Sequence, residues 1–199
     1  MSDINETFRQ TARPLPRTRI TARSTARANA ETAWRRWATQ HRVAAAMLGG
    51  LVGVQIASLL GIWFGGFSLD RLDFNTANGL VFLPKATPAT QFLVGGLSHY
   101  TDGVFFGLIF AVAVSPLLPL PATRAGNLVK ALIFSTILAV LAVFVVLPYV
   151  FGPAFGVHDS LIAFHNGWKY VVSVLLVHWI YGANLGLIYS PLDDDQSAH

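Results

Sequence analysis

The sequence predicts an all-α polytopic membrane protein of four transmembrane helices with both termini cytoplasmic. Three observations lead there. Only 12% of the 199 residues are charged, against about 25% in soluble domains, so a water-facing surface could not be covered. Mean hydropathy is +0.52, and four windows reach the ~20 apolar residues that a bilayer crossing needs. A net charge of only +4 with 53% hydrophobic residues excludes disorder. The chain has no cysteine, which excludes a disulfide scaffold, zinc–thiolate and iron–sulfur centres, and c-type haem attachment.

Residues 1–42 form an Arg-rich arm. Nine of the 14 cationic residues (Arg9, Arg13, Arg17, Arg19, Arg23, Arg27, Arg35, Arg36, Arg42) lie there, against Asp3, Glu6 and Glu31. The basic pI of about 9.8 therefore belongs to the arm and is no argument for nucleic acid. Ala30–Arg42 reads as a helix with Asn29 as N-cap. On it Trp34, Arg35, Arg36 and Trp37 suit an interfacial anchor at headgroup level, meeting anionic lipid; a sharper reading makes the arm a grip on a neighbouring subunit. The Thr-Ala-Arg triplets at 11–13, 21–23 and 25–27 also suit a transit peptide. A bacterial cytoplasmic membrane is the preferred location, with a mitochondrial inner membrane as the alternative.

Residues 43–191 form the membrane domain, with spans at about 43–67, 91–114, 127–151 and 167–190. Arg124 and Lys130 accompany the second connection and no acid does, whereas Asp70, Arg71, Asp73 and Lys85 cancel in the first. The positive-inside rule then puts the arm, the second connection and the acidic tail 192–199 in the cytoplasm. In the first span Gly49, Gly53, Ala57, Gly61 and Gly65 recur every fourth position, a small-residue ridge that lets two helix backbones approach closely.

Spans two and four share a pattern. His99-Tyr100-Thr101-Asp102-Gly103 with Gly107, and His178-Trp179-Ile180-Tyr181-Gly182 with Gly186, both fit His-aromatic-x-x-Gly-x-x-x-Gly, and both spans leave through Ser-Pro. A parallel two-helix unit, duplicated, accounts for this. At 1.5 Å per residue His99 lies ~12 Å deep, and Asp102 and His178 ~17 Å. With Gln55 of the first span they define a polar layer, which at membrane depth faces a bundle interior or water.

The simplest use of that layer is structural: Asp102 paired with His178 or His99, locking two helices, with no cofactor. A second use is b-type haem with His99 and His178 as axial ligands, against which stands the close packing that glycine ridges imply. A third is a metal ion held by His99, Asp102 and His178, although no pair has the i,i+4 spacing of specific metal motifs. A proton or ion pathway is the last. There is no phosphate-binding glycine loop and no nucleophile elbow, so no catalysis is expected of the chain itself. Its expected partners are other membrane protein subunits.

The His178–Tyr189 segment, His-x-x-Tyr-Gly-x-x-x-Gly-x-x-Tyr, resembles the last helix of a family of small four-helix bacterial membrane proteins catalogued as a domain of unknown function. The resemblance covers about residues 43–191 and leaves the arm and the Asp193–Asp195 run as additions. It implies the four-helix architecture and an association with respiratory or other membrane redox systems, and it brings no activity with it. The glycine ridges, the long basic arm and the lack of a catalytic constellation lead to the expectation of a non-catalytic accessory or scaffolding subunit of a larger membrane complex.

Overall fold

A computed structural model describes residues 17–192, with side chains from residue 28. The regular structure among the described residues is all helical: α1 (Arg17–Gln40), α2 (Arg42–Trp63), α3 (Phe74–Phe82), α4 (Pro88–Ile109), α5 (Arg124–Leu141), α6 (Ile162–His165) and α7 (Trp168–Ile188). Four continuous helical stretches are long and apolar enough to cross a membrane: Arg42–Phe67, Pro88–Leu117, Arg124–Ala154 and Trp168–Ile188. Their bounds lie within three residues of the expected spans. The acidic run Asp193–Asp195 lies outside the described residues.

Local chemistry sets the helix starts. Pro88 opens α4 behind Thr87, whose hydroxyl accepts from the Thr90 amide at 3.3 Å. Thr123 caps α5 through the Gly126 amide at 3.0 Å, and Asp73 caps α3 through the Thr76 amide at 3.1 Å. Such caps satisfy amides that have no partner inside the helix. Two stretches widen to π-helix: Phe110–Val114, just before Ser115-Pro116, and Ala142–Phe151, which contains Pro148. Proline lacks the amide hydrogen and its ring crowds the carbonyl four residues back, so an i→i+5 register relieves the conflict.

The arm differs from expectation in two ways. Its helix starts at least by Arg17, so Asn29 sits within it and is not an N-cap. It also docks on its own bundle. Trp34 Nε1 donates to the Ile188 carbonyl at 3.0 Å, and Arg35 reaches the carbonyls of Ala122, Ser190 and Pro191 at 2.5, 3.3 and 3.2 Å. Those at Ile188 and Ser190 mark the end of α7, where carbonyls lack helical partners and the dipole is negative, so an indole N–H and a guanidinium are well placed. Trp37 packs against the core and Ala38 is fully buried, while Arg36 is exposed. Lys130, buried, likewise donates to the Ser115 carbonyl at 3.1 Å, where the second span ends. This end of the bundle is the arm end below; the other is the loop end.

The spans are arranged so that α2 packs on α4 and α7, α7 packs on α2 and α5, and α3 lies along α4. Glycines set the close contacts. Gly103 and Gly107 of α4 lie on Gly50, Val54 and Ala46 of α2, and Gly182 and Gly186 of α7 lie on Ala131, Ser135 and Asn127 of α5. Gly49 and Gly53 bring α2 onto Leu185 and Tyr181 of α7, and Gly61 meets Val177. Ala57 is buried in the same row. Gly65 does not continue the ridge: nothing lies within 4 Å of where its Cβ would be. The α-helix ends at Trp63, and a 3₁₀ turn carries Gly65 off the stripe.

Matching these contacts aligns Gly50 with Ala131 and Val54 with Ser135, and hence Gly49, Gly53 and Ala57 with Lys130, Phe134 and Leu138. The small residues draw α2 against α7. The bulky ones hold α5 away from α4. Those two spans meet mainly at the arm end, where Phe110 and Phe134 rings stand 5.6 Å apart. Toward the loop end α3 bridges from α4 to the π segment 142–151.

Candidate functional site: an intramembrane cavity

The separation of α4 from α5 leaves a cavity of about 240 Å³ between the four spans. His99, Asp102 and Phe106 of α4 line one side, and Val177, His178 and Tyr181 of α7 another. Leu138, Leu141, Ala142 and Val146 form the third wall, Val54 and Ala57 the floor on α2, and Phe74 and Asn78 of α3 the loop-end cover. Asp102 and Leu141 keep exposed surface, so the cavity opens sideways between α4 and α5, toward the bilayer. At 1.5 Å per residue from the helix starts, His99 and His178 sit at nearly the same depth, roughly 17 and 15 Å.

The sequence-predicted residues His99, Asp102 and His178 do come together, but without the expected lock. Asp102 makes no hydrogen bond or ion pair with either histidine among the described residues. The surrounding groups make other contacts. His178 Nδ1 donates to the Val174 carbonyl of its own helix at 2.6 Å. The phenol of Tyr181, which occupies on α7 the place of Asp102 on α4, donates to the Gly103 carbonyl at 2.8 Å. His99 stacks on Phe74 with ring centroids 5.0 Å apart. With Nδ1 committed as donor, Nε2 of a neutral His178 is an acceptor. The cavity thus holds His99, Asp102, His178 and Asn78 with unused hydrogen-bonding capacity, in a wall that is otherwise mostly apolar.

The metal and haem expectations fare differently. Among the described residues no three His, Asp, Glu or Cys side chains converge as a metal ion requires, so His99, Asp102 and His178 do not form a ready-made centre. For haem the cavity is small. A cavity of ~150 Å³ takes a benzene ring, and pockets for drug-sized ligands begin near ~300 Å³. A space of about 240 Å³ fits one or two fused rings and is too small for a porphyrin unless the helices part. His158 and His165 lie outside the site and are exposed. His165 Nδ1 meets Asp159 at 2.6 Å, and the Leu161 amide, then His165, hold the Asp159 carboxyl below its usual range.

Gln55, expected in the polar layer, is exposed on the opposite face of α2. Tyr181, Asn78 and Phe74 line the site although sequence reasoning did not single them out. The tyrosine was legible as the fourth residue of His-x-x-Tyr, one helical turn from His178. The α3 contribution was not, since a nine-residue helix in a connection carries little periodic signal.

A family model described as a family of unknown function, DUF6789, matches residues 40–199. The match runs through the acidic tail, which the sequence alone suggested was an addition. No curated protein matches the chain, and no solved structure does.

Proposed function

The chain belongs to this family of unknown function, and from that premise we propose that it holds a small, lipid-soluble, hydroxyl-bearing molecule within the bilayer. In this reading it is a non-catalytic subunit of a larger membrane assembly, such as a respiratory or other redox system. One observation carries the binding role: His99, Asp102 and His178 face a single, sideways-open cavity with no hydrogen bond from their free polar atoms to the described residues. Buried polar groups are normally satisfied, and a ligand that satisfies these must be apolar enough to enter from lipid. The acceptor Nε2 of His178 selects for a donor, and a carboxylate at Asp102 would do the same.

The orientation we favour puts the arm end in the bacterial cytoplasm, because Arg35, Arg36, Arg42, Arg124 and Lys130 gather there and the positive-inside rule applies. Duplication of a helix pair is supported by the matched seats of Gly103 on α2 and Gly182 on α5.

The test uses two probes of one shape, 2-naphthol and 2-methoxynaphthalene, titrated against the protein in lipid nanodiscs with protein-free discs subtracted. Saturable binding is expected for both, about tenfold tighter for naphthol, since ~1.4 kcal/mol is a factor of ten and one good hydrogen bond supplies about that. Equal affinities would contradict hydroxyl recognition. Binding no greater than in the empty discs would end the ligand reading.

A further inference from the structure

Gln55 stands near the middle of the first span, roughly 18–20 Å from either end at 1.5 Å per residue. It is exposed and makes no hydrogen bond to any described residue. Other outward polar groups of the spans behave differently. Thr101 bonds the Leu97 carbonyl at 2.8 Å, and Trp179 Nε1 donates to Thr136 Oγ1 at 2.9 Å, so these outward polar groups are satisfied within the bundle. Asp102 faces the cavity. Among the described residues, Gln55 is the exposed mid-span polar side chain that faces away from the bundle without a partner.

An amide left unpaired in hydrocarbon costs several kcal/mol, and in membranes glutamine side chains serve to hydrogen-bond across helices. The surrounding surface is apolar: Leu48, Leu51 and Leu59, at spacings of three and four residues about Gln55, are 39%, 44% and 51% exposed. We infer that this face of α2 is the interface with a second copy of the chain, Gln55 pairing with Gln55 across a two-fold axis. An amide is its own complement, because one N–H of each can donate to the other's carbonyl oxygen, pairing both carbonyls and one N–H of each. A two-fold interface brings the same residue opposite itself. The flanking leucines add the uncharged stripe that such a seam needs, with one polar position fixing register as in coiled coils. The inference does not rest on the cavity, which lies on the other side of α2.

The chain has no cysteine, so single introduced thiols report cleanly. Gln55→Cys, oxidised in intact membranes, is expected to give a disulfide-linked dimer of twice the chain mass. Leu97→Cys, on a lipid-facing position of α4 that is 71% exposed, is expected not to. By sedimentation in detergent, Gln55→Leu is expected to raise the dimer dissociation constant about tenfold or more, and Gln55→Asn to retain most of the association. Three results would overturn the proposal: equal crosslinking at the two positions, crosslinking of Gln55→Cys to a different protein in place of itself, or a dimer constant unchanged in Gln55→Leu.

Discussion

Replacing Gly103 or Gly182 with valine is expected to destabilise the bundle by about 2–3 kcal/mol in each case, the upper part of the range for overpacking a close-packed interior. The reason is geometric. A Cβ at Gly103 would come within 2.6 Å of the Val54 side chain, and one at Gly182 within 2.7 Å of the Ala131 carbonyl. Backbone and a β-branched side chain cannot swing aside, so α4 would have to lift from α2, or α7 from α5. In lipid no hydrophobic effect between helices offsets the lost contact. The control is Gly65→Val, in the 3₁₀ turn that follows α2: nothing lies within 4 Å of where its Cβ would be, so stability should change little. Unfolding by SDS in mixed micelles, followed by far-UV circular dichroism, reads all three. A silent Gly103→Val would contradict the packing described.

Filling the cavity is expected to have the largest effect on binding. Ala142 lines the wall beside the opening, and its replacement by phenylalanine adds a ring. A benzene ring occupies a cavity of ~150 Å³, so most of the available 240 Å³ would be lost. Naphthol affinity should fall by roughly 30-fold or more, an estimate that assumes about 2 kcal/mol of lost ring burial. Folding should survive, because the new ring occupies space and displaces no backbone contact. Retained helical content together with unaltered naphthol binding would place the ligand elsewhere.

Different parts of this architecture were legible in the sequence for different reasons. The spans follow from long apolar runs that carry almost no charge, a signal that depends on local composition alone. Gly49, Gly53, Ala57 and Gly61 were legible as a packing ridge because four-residue spacing puts them on one face whatever the neighbour is. The same geometry placed Gln55: at 100° per residue it lies about 200° from Gly53, so a ridge that packs inward turns it outward. Reading its depth without its rotation led to the wrong side of the helix.

Asp102 was harder. Its helix, depth and nearness to His99 could be counted out, but its partner depends on how α4 is held against α5. That spacing is set by Lys130, Phe134 and Leu138 on a different span, where α2 has small residues. The cover that α3 provides depends on tertiary packing of short, weakly patterned sequence, Gly79 against Gln91 and Gly95 against Asn75. The clustering of Trp34, Arg35, Arg36 and Trp37 just before the first span was legible from adjacency alone. That Arg35 would meet the carbonyls ending α7 required knowing that the two ends lie side by side.

The central claim is that His178 offers an acceptor nitrogen to a hydroxyl-bearing molecule inside the membrane. Its most direct measurement is the ¹⁵N spectrum of histidine-labelled protein in nanodiscs, the His178 signals being identified by their loss in His178→Phe. On saturation with 2-naphthol the Nε2 resonance of His178 is expected to move while Nδ1, held by the Val174 carbonyl, stays in place. If no His178 nitrogen responds while naphthol binds, the acceptor role is contradicted.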